Sequence, residues 1–360
     1  MLKADLIRYT LTHDQSPIQE IKTTVPTDLS RKEFLYRTGV GALALLATSS
    51  PLFAQTTLSA DQTTVNTSNI PTIKLKTVEA DGIKILYREA GPADGPVLLL
   101  LHGYPTSSHM FRHLIPRLAS TFRVIAPDLP GFGFTEVPAG RKYHYNFDSL
   151  AVTIDAFVQT LNLTRYAMYV FDYGAPTGFR LAVSHPDRVA AIISQNGNAY
   201  VDGLGDAWDP IKKYWRDPSL ANREALREFI GLEGTKFQYV HGVRDPLLVE
   251  PESYWLDAAL LQRPGNAEIQ LDLFLDYANN VKLYPTFQEY FRRYQPPLLA
   301  TWGKNDPFFI PAGAEAYRRD IPSAKVVFYE TGHFALETHV EEISDEIRSF
   351  LTGLVQAGKF

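Results

Sequence analysis

Asp172 stands where a carboxylate could attack carbon. In YVFDYGAPTGFRLA, residues 169–182, it falls between an apolar run and a segment opened by glycine and proline. Two readings compete for it. Asp is a favoured N-cap and Pro176 suits a first helical turn, so the residue could simply begin a helix. Alternatively it is a nucleophile raised on a tight strand-to-helix turn, which Gly174 permits. Further along, Asn305-Asp306-Pro307 and Gly332-His333 place an acid and an imidazole after two more apolar runs. Histidine can take a proton from water, and a neighbouring carboxylate can fix its tautomer and stabilise its charged form. Each also has a plain reading, Asp306 as part of a turn and His333 as a hydrogen-bonded core histidine.

A carboxylate nucleophile implies a particular electrophile. Attack on an ester would leave an anhydride, whereas attack on an sp3 carbon with a leaving group leaves an alkyl ester. Water can then cleave that ester at its carbonyl. The sequence therefore points to hydrolysis of a bond from an alkyl carbon to a heteroatom.

The elements that must position these residues follow from periodicity. TIKLKTV and IKILYREA alternate around ADG as a half-exposed antiparallel pair would, and VLLLLHG reads as a fully buried strand. SHMFRHLIPRLAS and FDSLAVTIDAFVQTLNL are helical, and FRVIAPDLPG lies between them as another buried strand. RYAMYVFDYG, RVAAIISQNG, PLLATWGKND and AKVVFYETGH supply further strands, with an amphipathic helix over about 336–353. Strands alternating with helices predict an α/β fold with a mostly parallel, doubly wound sheet, whose site lies beyond the strands' carboxyl ends. Residues 199–294 carry no buried-strand run but several helical patterns and Trp208, Trp215 and Trp255. They predict an inserted helical lid over that face, with the core at 72–198 and 295–360.

The order of strand–nucleophile–helix, acid, then histidine resembles the α/β-hydrolase superfamily over 72–354. The turns His102-Gly103-Tyr104-Pro105 and Asp128-Leu129-Pro130-Gly131-Phe132-Gly133 resemble it as well. With Val170-Phe171-Asp172-Tyr173-Gly174 in place of the usual Gly-x-Ser-x-Gly, the chain looks like the epoxide hydrolases and haloalkane dehalogenases. That resemblance implies Asp172 as nucleophile, His333 as base and Asp306 as its partner. It implies the backbone N–H groups of Tyr104 and Tyr173 as an oxyanion hole, and a cis peptide before Pro105. Gly131-x-Gly133 opens no dinucleotide-binding helix, and His339-Val340-Glu341 lacks metal-ligand spacing, so no cofactor and no metal are expected.

The two families differ in how the leaving group is met. Dehalogenases resembling this chain hold halide with a tryptophan after the nucleophile and an Asn or second Trp, one common Asn position being the x of His-Gly-x-Pro. Tyr173 and Tyr104 stand at those places. A fluoroacetate dehalogenase would carry arginine after the nucleophile. Epoxide hydrolases use lid tyrosines to protonate the opening alkoxide, and Tyr277, in Asp276-Tyr277-Ala278-Asn279, resembles one of them, with Tyr239 and Tyr214 competing for the second role. Opening of epoxides to vicinal diols is the leading expectation. PTSSHMFRHLIP looks more like the dehalogenases, which stand as the alternative. A non-catalytic exported binding protein is a third possibility.

Bulk properties narrow the partners. A chain of 360 residues with formal charge −5 and no basic block does not expect nucleic acid. With no cysteine, disulfides, Cys–zinc sites, a thiol nucleophile and a lipoprotein anchor are excluded. The expected partners are a small apolar organic substrate and water. SRKEFLYRTGVGALALLATSSPLFAQ, with a basic pair before an apolar run too short to span a bilayer, resembles a twin-arginine-like export signal with Ala54 as cleavage point. A leader over 1–55, a linker over 56–71 and a periplasmic or secreted protein are expected, or a cytoplasmic one if the leader is not processed.

Overall fold

The computed structural model of the protein describes residues 71–360. The expected leader, and all but the last residue of the expected linker, lie outside the described residues. Eight strands make one sheet: β1 (Lys74–Ala80), β2 (Ile83–Ala90), β3 (Val97–Leu101), β4 (Arg123–Pro127), β5 (Tyr166–Phe171), β6 (Val189–Gln195), β7 (Leu298–Gly303) and β8 (Lys325–Tyr329). Their order is β1-β2-β4-β3-β5-β6-β7-β8, antiparallel at β1–β2 and β2–β4 and parallel elsewhere. The chain steps one way from β3 to β4 and the other way to β5, so the sheet's switch point lies between β3 and β5. A crevice at the carboxyl ends of two such strands is where α/β sheets bind ligands.

The central strands are unbroken apolar runs because both faces are covered. Alternate residues divide between two cores. Leu99, Leu101, Met168, Val170 and Ile192 face α2 (Phe147–Thr160), α3 (Gly174–Ser184) and α9 (Pro311–Asp320), through Ile154, Phe179 and Tyr317. Leu98, Leu100, Ala167, Tyr169 and Ile193 face α1 (Leu114–Leu118) and α10 (Val340–Gln356), through Leu118, Ile343 and Ile347. The helix predicted over SHMFRHLIPRLAS is broken into a 3-10 turn, Ser108–Phe111, and the short α1. Pro116 supplies no N–H, and its ring excludes a helical carbonyl four residues earlier. The last helix starts at Val340, later than expected, after a separate 3-10 turn at Ala335–Glu337.

Between β6 and β7 the chain leaves the sheet for α4 (Asp209–Arg216), α5 (Leu220–Ala225), α6 (Leu232–Val240), α7 (Pro251–Leu261) and α8 (Asn266–Tyr294). Arg112 ties this excursion to the core, with Nη2 2.8 Å from both Glu250 at the start of α7 and Glu337 in the turn after His333. No helix among the described residues is long and apolar enough to cross a membrane.

Candidate active site

β5 ends at Phe171 and α3 begins at Gly174, so two residues make the turn. Asp172 takes φ 48°, a left-handed conformation that costs a side-chain-bearing residue of order 1 kcal/mol or more. The turn also presses against β3. A Cβ on Gly174 would lie 2.2 Å from the Leu101 carbonyl oxygen, and one on Gly103 would lie 2.3 Å from Asp172 Oδ1. Only glycine fits at either place. The result is a carboxylate held at the end of the strand, 5% exposed.

Its Oδ1 accepts two hydrogen bonds, from the backbone N–H groups of Tyr104 and Tyr173, each at 2.6 Å. The Tyr104–Pro105 peptide is cis. Oδ2 lies 4.0 Å from His333 Nε2, beyond hydrogen-bonding reach. His333 Nδ1 is 2.7 Å from Asp306 Oδ2. Asp306 is fixed in turn, with Oδ2 accepting from Asn196 Nδ2 and Oδ1 from the Phe308 N–H, both at 2.8 Å. The imidazole sits among Phe171, Phe308, Phe309 and Phe334. Thus five groups from four loops meet at one point: two carboxylates, an imidazole and two N–H donors.

Burial pushes the Asp172 carboxyl up to about 6, although His333 and the two N–H groups favour its charged form. Burial pulls His333 the other way, but the charge of Asp306 and its hydrogen bond outweigh this and leave the imidazole above its ordinary value. At neutral pH Asp172 is therefore mostly ionised, as an attacking group needs to be.

The cavity above Asp172 is small, about 20 Å³, room for roughly one water. Tyr104, Tyr173, Trp208, Ile211, Phe229 and Phe274 line it, together with Phe308 and Gln238. Most of its polar atoms are committed. Tyr104 Oη donates to the Phe229 carbonyl at 2.7 Å, and Trp208 Nε1 to the Phe308 carbonyl at 3.0 Å. Trp215, nearby, donates its Nε1 to the Phe274 carbonyl at 2.7 Å.

Tyr277, Tyr239 and Tyr214 are not in the cavity wall. Tyr277 packs on Trp208, Phe147 and Tyr173 with ring centroids 4.5, 5.5 and 5.7 Å away, and its hydroxyl pairs with that of Tyr284 at 3.4 Å. Tyr239 gives its hydroxyl to Asp257 at 2.5 Å and stacks on Phe334 at 3.7 Å. It follows Gln238 by one residue, and successive side chains of a helix point about 100° apart, so Gln238 faces the cavity and Tyr239 faces away. Tyr214 receives a hydrogen bond from Arg223 at 3.0 Å, and its helix presents Ile211 to the cavity instead.

Asn196, Trp208 and Gln238 are absent from the sequence-derived site. Asn196 follows the β6 run in SQNGN, where an Asn with φ 44° closes the strand, and that pattern could have marked it as a strand-end residue. Gln238 had no signal, since nothing in KFQYVHG distinguishes an amide turned inward from one in water.

Among known proteins, a family model described as alpha/beta hydrolase fold matches residues 96–340. An uncharacterized hydrolase of Saccharomyces cerevisiae is 53% identical over 274 residues, covering 75% of this chain and 93% of its own. Epoxide hydrolase 2 of Caenorhabditis elegans is 27% identical over 253 residues, covering 67% of this chain and 69% of its own. The solved haloalkane dehalogenase DbeA of Bradyrhizobium elkani shares the fold, with TM-score 0.65 at 23% identity over 79% of this chain and 100% of that one.

Proposed function

The chain belongs to the alpha/beta hydrolase fold family and is a hydrolase, and on that premise we propose that it opens small epoxides to vicinal diols through an alkyl ester on Asp172. Asp172 Oδ2 attacks the ring carbon, and the ring oxygen departs as an alkoxide that takes a proton from a phenol. His333 then takes a proton from water in the 4.0 Å gap, and that water attacks the ester carbonyl. The N–H groups of Tyr104 and Tyr173 stabilise the tetrahedral oxyanion that forms on Oδ1. On collapse of that species the departing product oxygen takes the proton back from His333, and the carboxylic acid left on Asp172 returns its proton to the phenolate, which releases the diol and restores the carboxylate. The helical excursion over the cavity serves as the lid, excluding bulk water from the ester.

One observation carries epoxide over halide. The indole N–H groups of Trp208 and Trp215 are both spent on backbone carbonyls. A departing halide would find no paired indole donors. The Tyr173 phenol, by contrast, belongs to a residue of the cavity wall and has no hydrogen-bond partner among the described residues. A phenol in its acid form can protonate an alkoxide. The cavity-facing amide of Gln238 favours a second reading, halide release from a haloalkane, because an amide N–H can hold an anion. A non-catalytic binding role has little support where His333 reaches Asp306 at 2.7 Å.

Purified protein offered 1,2-epoxybutane and 1-bromobutane decides between the two. Diol formation at the higher kcat/KM supports epoxide opening, and rapid bromide release with inert epoxide reverses it. We further propose export with cleavage near Ala54. N-terminal sequencing of protein from the native host tests this, and a mature chain starting at Met1 in the cytoplasm overturns it.

A further inference from the structure

Besides Asp172 and Tyr173, whose phenol is assigned above to the ring oxygen, the cavity holds one polar side chain free to meet a ligand. Gln238 is 5% exposed and lines the same small cavity as Asp172. Its carboxamide makes no hydrogen bond to any described residue, whereas a buried amide ordinarily has partners. It is also well anchored. The next residue, Tyr239, gives its hydroxyl to Asp257 at 2.5 Å and lies 3.3 Å from the Thr106 hydroxyl, so α6 is pinned to the core at that point. The other polar atoms of the wall are accounted for: Tyr104 Oη is spent on Phe229, Trp208 Nε1 on Phe308, and the unpartnered Tyr173 Oη is the proposed donor to the ring oxygen.

We propose that the substrate carries its own neutral hydrogen-bonding group, a hydroxyl or carbonyl one carbon from the ring that Asp172 attacks, and that Gln238 is the residue that reads it. This rests on the epoxide reading given above. An amide offers a donor and an acceptor, which a hydroxyl matches with an acceptor and a donor. A carboxylate on the substrate is disfavoured, because it would share the cavity with ionised Asp172. A site built to hydrogen-bond such a group rejects the analogue that lacks it, because the amide is then buried unpaired.

Glycidol and 1,2-epoxybutane differ by a hydroxyl in place of a methyl and so isolate this contact. Binding is measured on the Asp172→Asn variant, which needs no turnover, and again with Gln238→Leu or the near-isosteric Gln238→Met added. Glycidol should bind about tenfold more tightly than epoxybutane, and either added change should erase the preference. No preference in the parent variant, or one that survives both changes, overturns the proposal. Equal loss of affinity for both epoxides also overturns it, because Gln238 would then serve the shared ring. The epoxide reading is tested separately by intact mass of His333→Gln with glycidol. Absence of an adduct there, with the binding preference intact, sinks the epoxide reading and leaves Gln238 as the reader of a hydroxyl.

Discussion

His333 Nε2 stands 4.0 Å from Asp172 Oδ2, while the other ring nitrogen is locked at 2.7 Å onto Asp306. The imidazole is thus held by Asp306 and not by Asp172. In the mechanism proposed above the gap separates two jobs: the carboxylate attacks carbon without help, and the imidazole waits for a water that arrives once the ester has formed. His333→Gln should therefore permit alkylation and block hydrolysis. Intact mass spectrometry with substrate should show a stable adduct on Asp172, and an unmodified variant that still binds substrate would count against the two-step scheme.

The origin of the product oxygen gives an independent check. In a single turnover in heavy-oxygen water, the first product should carry ordinary oxygen drawn from Asp172. Solvent label in first-turnover product would rule out the ester.

Two buried carboxyls set pH dependences of predictable sign. Asp172 is raised to about 6 in the folded protein, so the fold binds its proton more tightly than the unfolded chain does. Stability from this group therefore falls as pH rises from about 4 to about 6 and is level above. Asp172→Asn should be more stable than the parent at pH 7, by about 1–3 kcal/mol, with the difference vanishing near pH 4. Denaturant titrations across that range measure it, and a difference independent of pH would show the shift is not the cause. Alkylation should weaken as pH drops through about 6, because the nucleophile is then protonated.

Asp257 follows the same sign over a wider window. It is raised to about 8, by burial first and by Glu337, against the pull of the Tyr239 hydroxyl, Thr106 and Arg112. Its contribution falls from about pH 4 to about 8. Asp257→Asn should flatten that slope, and unchanged slopes in thermal melts would refute the assignment.

Asn196 acts through Asp306, to which it donates at 2.8 Å, and it also bonds the Gly303 N–H at 2.9 Å. Asn196→Ala removes a donor from Asp306, leaving that carboxylate more strongly attracting to the imidazole proton. His333 must be neutral to act as a base, so ester hydrolysis should rise at higher pH than in the parent, with kcat reduced about tenfold and KM little changed. An unshifted pH profile would reduce Asn196 to a packing residue.

Tyr173→Phe tests the phenol reading. Loss of its hydroxyl should slow ring opening by roughly tenfold or more while the melting temperature stays close to the parent's, since that hydroxyl makes no hydrogen bond among the described residues. Undiminished adduct formation would refute the phenol as proton donor.

Much of this was legible in the residues themselves. Fully apolar runs such as VLLLL and YAMYVF announced strands buried on both faces, and the residues ending them lie at the carboxyl edge whatever the loops do. Asp172, Asp306 and His333 are read from that rule, with Tyr104 and Tyr173 entering through their backbone N–H groups. The excursion over 199–294 was less readable. Which face of α6 looks inward depends on how it packs against the core, and the pattern of KFQYVHG carries no strong apolar stripe to fix it. Hence the sequence points to Tyr239 where Gln238 lies, and it places Trp208 in the helical segment but not at the cavity, because that position depends on the Phe308 carbonyl a hundred residues away.

The order of strands in the sheet also sets a timetable for synthesis. β5 and its elbow leave the ribosome first, whereas the acid and the base come with β7 and β8, on the far side of the helical excursion. At roughly 5–20 residues per second, a nascent chain spends several seconds with Asp172 made and β6 as an unpaired apolar edge. During that interval it is unarmed and open to pairing with another chain. Pairing of β7 closes the β6 edge in the same step that delivers Asp306, and β8 then completes the sheet just ahead of His333, so the hazard ends as the site is assembled.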